Sequence, residues 1–172
     1  INSLLPVYVR DVLHADPVLS IYIFAPAGVG FFLGTVLTPL TIRVLGERIV
    51  AAISFAFIAT GAILLGTVHE VAPAIAAYSP LRVVEPFGIT LSPAILAAGV
   101  IVIPTNFGST MAAGTVQAFI NKFVPLDRQG RTFGMQEVLE QAVTIIVLIT
   151  LGLVSTLAGA RVVFLVAPLI VV

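Results

Sequence analysis

Four stretches of this chain carry no charged side chain: residues 17–42, 49–68, 86–121 and 141–160. Each reaches the roughly 20 residues that a predominantly apolar helix needs to cross a hydrocarbon core. A water-facing fold would need about 25% charged residues to cover itself. This chain has 9%, against 59% apolar residues. With no water in the core of a bilayer, only helices and closed barrels satisfy their own backbone there, and runs of this length select the helix. The predicted fold class is therefore all-α, a polytopic transmembrane helix bundle, with the lipid bilayer as its first partner.

The remaining composition excludes more than it specifies. Eight basic and eight acidic residues give a formal net charge of zero, so no field argues for nucleic acid. Without cysteine there is neither a disulfide framework nor a thiolate zinc site. The apolar runs at 1–9 and 162–172 are too short to span. The expected organisation is thus a partial span at 1–13, full spans at about 18–42, 49–68, 91–121 and 132–157, and a second partial span at 162–172. Residues 1–172 read as one incomplete bundle, a piece of a longer chain.

Between the spans lie a polar link with Arg10, Asp11, His14 and Asp16, a tight turn at 43–48, a proline-rich stretch at 69–90, and a polar loop at 122–131. The third of these reads as an extramembrane loop, with room for an interfacial helix around 71–78. Pro26 and Pro39 interrupt the first full span, and Pro104 kinks the third. The turn at 43–48 and the loop at 122–131 fall on one side, with Arg43, Arg48, Lys122, Arg128 and Arg131. The other side holds Arg10, Arg82 and Arg161. Five against three makes the first side cytoplasmic by the positive-inside rule.

No catalytic set emerges. His69-Glu70 opens like a zinc-protease helix, but the second histidine would have to stand where Pro73 is. No Gly-x-Ser-x-Gly elbow is present. The third glycine of Gly28-Val29-Gly30-Phe31-Phe32-Leu33-Gly34 is one place too far for a dinucleotide loop. Inside a span these glycines read as sites of close helix packing. No cofactor and no metal is expected, and the chain does not read as an enzyme.

Polar residues inside the spans say more. Glu137, Glu140, Gln141 and Thr144 recur at i, i+3, i+4 and i+7, on one face of a helix; Asn106, Ser109, Thr110 and Gln117 do the same on the span before, with Asn121 extending the line. A charged side chain at the bilayer centre costs at least about 2.5 kcal/mol, so such a stripe belongs toward a bundle interior or a water-filled cavity. The two helices share one short connection and their stripes can converge on one space. Two plainer readings stay open. Glu137 and Glu140 lie close enough to the 122–131 loop to pair with Arg128 and Arg131 at headgroup depth, and Ser109 and Thr110 are the kind of residue that glues helices together.

Three motifs in this order resemble the second half of a major facilitator superfamily transporter. Gly30-Phe31-Phe32-Leu33-Gly34 followed by Arg43-Val44-Leu45-Gly46-Glu47-Arg48 is similar to that family's glycine-rich helix and its Asp-Arg-x-Gly-Arg-Arg turn, with Arg43 where the acidic residue would be and Glu47 replacing a basic one. Val124-Pro125-Leu126-Asp127-Arg128-Gln129-Gly130-Arg131-Thr132-Phe133-Gly134 resembles the loop between the fourth and fifth helices of a half. Gly159-Ala160-Arg161-Val162-Val163-Phe164 resembles the link before a half's last helix, and Leu5-Pro6-Val7-Tyr8-Val9 the outer end of a seventh helix.

The resemblance implies a half running from the end of helix 7 to the start of helix 12, multi-pass in the cell membrane. It further implies secondary active transport of a small solute by alternating access against a missing N-terminal half. Asn106, Thr110, Gln117, Glu140, Gln141 and Thr144 would line the cavity. Glu137 or Glu140 would carry a coupled proton. Arg43, Gly46, Arg48, Asp127, Arg128 and Arg131 would form the cytoplasmic gating turns. With no basic residue inside a full span, the solute is expected to be neutral, cationic or amphipathic. The rival expectations are a polytopic membrane enzyme or assembly subunit with its chemistry elsewhere in a longer chain, or a channel.

Overall fold

A computed structural model describes Leu13, Leu19 and residues 21–82 and 91–158. The partial spans at 1–13 (Leu13 apart) and 162–172 lie outside the described residues, as do Leu5 to Val9, Arg10, Asp11, His14, Asp16 and the link around Arg161. Among the described residues the chain is all-helical: α1 (Ile21–Leu45), α2 (Glu47–Gly66), α3 (Val68–Ile75), a 3-10 turn (Ala76–Tyr78), α4 (Pro93–Phe123) and α5 (Leu126–Ala158). Of these, α1, α2 and α4 are long and apolar enough to cross a membrane. At about 1.5 Å per residue α4 measures about 46 Å, well beyond a hydrocarbon core of about 30 Å.

Local chemistry sets the boundaries. Ser92 caps α4, its Oγ accepting the Ile95 amide at 3.3 Å, with Pro93 in the first turn where no amide is needed. At the other end Pro125 disfavours helix at the residue before it, and Val124 is extended at φ −99, ψ 126. The loop expected at 122–131 therefore shrinks to Val124 and Pro125: α5 restarts at once, with the Arg128 and Gln129 amides donating to the Pro125 carbonyl at 2.9 and 3.1 Å. The turn at 43–48 contracts further. Gly46 alone is non-helical, at φ 81 and ψ 159. Neither Pro26 and Pro39 in α1 nor Pro104 in α4 breaks its helix; within a membrane, neighbouring helices and local adjustments can re-satisfy the freed backbone groups.

In the stretch at 69–90 the helix for which the sequence left room around 71–78 forms, beginning at Val68. Instead of an open loop, residues 68–78 fold into α3 and the 3-10 turn, with Val68, Ala72 and Ala76 buried against Leu65 of α2 and the N-terminal half of α4. Residues 83–90 lie outside the described set.

The bundle is organised around α4. Its span is 61% buried, against 33% for α1 and for α2. The stripe Ile23, Ala27, Gly30, Gly34 and Thr38 of α1 and the stripe Val50, Ser54, Gly61 and Leu65 of α2 both face it. Of the three glycines read as packing sites, Gly28 is not one, being exposed with nothing within 4 Å of an added Cβ; a Cβ on Gly30 would run into the Ile103 carbonyl, and one on Gly34 would lie 2.8 Å from Thr110 Cβ. On α2, the polarity of Ser54 does not face lipid. Ser54 is fully buried, bonds back to the Val50 carbonyl at 2.7 Å, and presents its own carbonyl to Gly108.

Candidate functional site

Helical geometry sorts the candidate residues of α4. Ile103, Phe107, Thr110 and Gly114 meet Gly30, Gly34 and Thr38 of α1, while Thr105 and Gly108 meet Gly61, Phe57 and Ser54 of α2. At about 100° per residue, Asn106, Ser109, Ala113 and Gln117 fall on a third face that neither neighbour covers. Asn106 is half-buried and Ser109 and Gln117 are exposed. Asn106 turns its amide back on the Val102 carbonyl at 3.0 Å. Of the two readings open for Thr110, cavity lining and helix packing, the second is the one seen: it packs against Gly34 and bonds to the Asn106 carbonyl at 2.9 Å, so it serves the α1–α4 interface.

On α5 the expected stripe is present and exposed. Gln141 Nε2 donates to Glu137 Oε1 at 2.9 Å, and Thr144 Oγ1 to the Glu140 carbonyl at 2.7 Å. Glu137 thus pairs with Gln141, not with Arg128 or Arg131. Along the adjoining face an open, mostly apolar depression of about 690 Å³ is lined by residues of α5 alone: Thr132, Met135, Gln136, Leu139, Glu140, Val143 and Thr144. Thr132, Gln136, Glu140 and Thr144 recur every four residues and form its polar line. Gln136 was missed by the sequence reading, though that spacing of four signals it. Its Oε1 is shielded and has no hydrogen-bond partner among the described residues, a costly state for a buried acceptor that a ligand or a covering helix would relieve. Among the described residues no hydrogen bond joins the α4 stripe to the α5 stripe. The two helices are linked at the Val124-Pro125 break, where Gln129 Nε2 donates to the Val124 carbonyl at 3.0 Å.

The charged turns gather at one end of the bundle. Lys122 Nζ contacts Glu47 Oε1 at 2.7 Å, bridging the end of α4 to the start of α2. The turn holding Arg43, Gly46 and Arg48 and the segment holding Asp127, Arg128 and Arg131 therefore share one side, as the charge count required. Asp127 and Arg128 approach to 3.7 Å while both stay exposed, a pairing worth little in water. His69 and Glu70 begin α3 at the other end.

What the fold and site define is a class: an all-helical membrane protein with polar faces on two of its long helices. Comparison with known proteins returns no matching family, no similar curated protein and no similar solved structure.

Proposed function

We propose that this chain is part of a multi-pass secondary transporter of the cell membrane, moving a small solute by alternating access, as its resemblance to the second half of a major facilitator superfamily transporter implies. One observation carries the reading. The Asn106–Gln117 line of α4 and the acidic line of α5 both lie bare on helices whose other faces are apolar. Polar faces of this kind are tolerated at membrane depth where they border a water-filled cavity or another protein element, and transporter sites are built from such faces near the midplane. The partner that would close the cavity is the remainder of the same protein, the N-terminal half the resemblance implies.

In this reading Glu140, at the rim of the depression, and Glu137 behind it carry the coupled proton, and the depression's mixed lining suits a neutral or cationic amphipathic solute. The test uses the full-length protein in sealed vesicles under an imposed pH gradient. Solute-dependent proton movement is followed with an entrapped pH indicator across a panel of neutral and cationic amphipathic compounds. Glu140→Gln combined with Glu137→Gln should abolish proton movement while leaving counterflow exchange of the same solute. Proton movement equal to that of the unsubstituted protein would remove both carboxylates from the coupling role.

A further inference from the structure

We propose that the end of the bundle formed by the α1–α2 turn, the last turn of α4 and the first turns of α5 is a binding surface for the headgroups of anionic phospholipids. The inference rests on the membrane embedding of α1, α2 and α4, not on the transport reading.

Five of the six described basic side chains lie at this end: Arg43, Arg48, Lys122, Arg128 and Arg131, all exposed; the sixth, Arg82, lies at the other end. Only two acidic residues accompany them, and each faces one base, Glu47 with Lys122 and Asp127 with Arg128. Arg43, Arg48 and Arg131 are left without a carboxylate partner among the described residues. Guanidinium groups suit phosphate because their fork of donors meets two oxygens at once.

Large apolar side chains stand bare immediately beside these bases: Val44 (81% exposed) next to Arg43, Phe123 (60%) next to Lys122, and Leu126 (87%) two residues before Arg128. Lys122 also lies 5.3 Å from the Phe123 ring centroid. A dissolved anion would satisfy the arginines and leave this apolar surface in water. A phospholipid covers both, placing phosphate against the guanidinium groups and acyl chain against Val44, Phe123 and Leu126. Each basic residue near an anionic membrane surface strengthens partition by about fivefold.

The full-length chain is reconstituted in phosphatidylcholine vesicles, and the motionally restricted fraction of spin-labelled phosphatidylglycerol is compared with that of spin-labelled phosphatidylcholine by electron paramagnetic resonance. Selectivity for phosphatidylglycerol is expected, weakening as salt is raised. It should fall to about one, no preference, in the Arg43→Gln, Arg48→Gln, Arg131→Gln triple variant, and persist in Arg82→Gln, whose native side chain is tied to the Ala76 carbonyl at 3.1 Å. Absence of selectivity in the unsubstituted protein, or its retention in the triple variant, overturns the proposal. The salt titration needs no substitution, so a triple variant that fails to fold leaves the idea testable: selectivity indifferent to salt also overturns it. Inorganic phosphate should displace no more labelled lipid than chloride of equal ionic strength; greater displacement marks a site for free anions and sinks the lipid assignment.

Discussion

Gly46 is the single residue on which the α1–α2 hairpin turns. At φ 81 and ψ 159 it occupies a region essentially reserved for glycine. Its amide still bonds to the Ile42 carbonyl at 2.9 Å, and its carbonyl accepts the Val50 amide at 3.2 Å, so neither helix loses its continuation. Gly46→Ala should cost about 1–3 kcal/mol, read as a lowered midpoint in thermal unfolding of the purified full-length protein. Because a Cβ at this position has open space around it, the cost would come from backbone conformation alone, and any other L-residue should pay at least as much. A Gly46→Ala protein as stable as the original would show that the turn relaxes to an ordinary conformation. Gln129 plays the corresponding part at the other connection. Its amide covers the Val124 carbonyl and reaches the Asn121 carbonyl at 3.4 Å, two of the orphan acceptors that end every helix. Gln129→Ala should lower stability by about 1 kcal/mol, and Gln129→Glu, which cannot donate, by no less; the same unfolding measurement reads both.

Between elements, apolar burial alone cannot hold these helices together, because lipid tails are as apolar as their side chains. Close backbone approach does the work. Gly30 and Gly34 admit the Ile103–Thr110 stretch of α4, and Gly108 admits Ser54 and Phe57 of α2. The Phe57 and Phe107 rings meet edge to face at 5.5 Å across the α2–α4 contact. Gly30→Ala pushes a methyl into the backbone of α4 and should cost about 1–3 kcal/mol, whereas Gly28→Ala, which meets nothing, should be neutral or slightly stabilising. Comparing the two variants in one unfolding assay separates packing from helix propensity, and equal effects would refute the close approach. The exposed face of α4 yields a second check, made simple by a chain without cysteine. Gln117→Cys should react with a water-soluble maleimide in vesicles, while Thr105→Cys, buried against Gly61, should not. Protection of both would place the Gln117 face against lipid or protein and remove it from any aqueous cavity.

For the molecule as a whole, the charge-free stretches already dictated that it be helical and lie in a membrane, because only helices and closed barrels satisfy their own backbone in hydrocarbon and runs of about 20 residues select the helix. The spacing of Glu137, Glu140, Gln141 and Thr144 was equally legible, since helical period is a property of sequence. So was the sharing of one side by Arg43, Arg48, Lys122, Arg128 and Arg131, a matter of counting crossings. Three things were decided only by tertiary structure. Which of its two readings Thr110 took was decided by α1, which brings Gly34 to it. The helix at 68–78, for which the sequence left room, packs down on the bundle because α4 offers an apolar N-terminal half to cover it. The shielding of the Gln136 Oε1 is the third, since its spacing of four places it on the Glu140 line but does not show that it is buried. Periodicity tells which residues share a face, and the physics of lipid tells that a polar face must be covered; which neighbour covers it depends on contacts between residues far apart in the chain, and those exist only once the helices have packed.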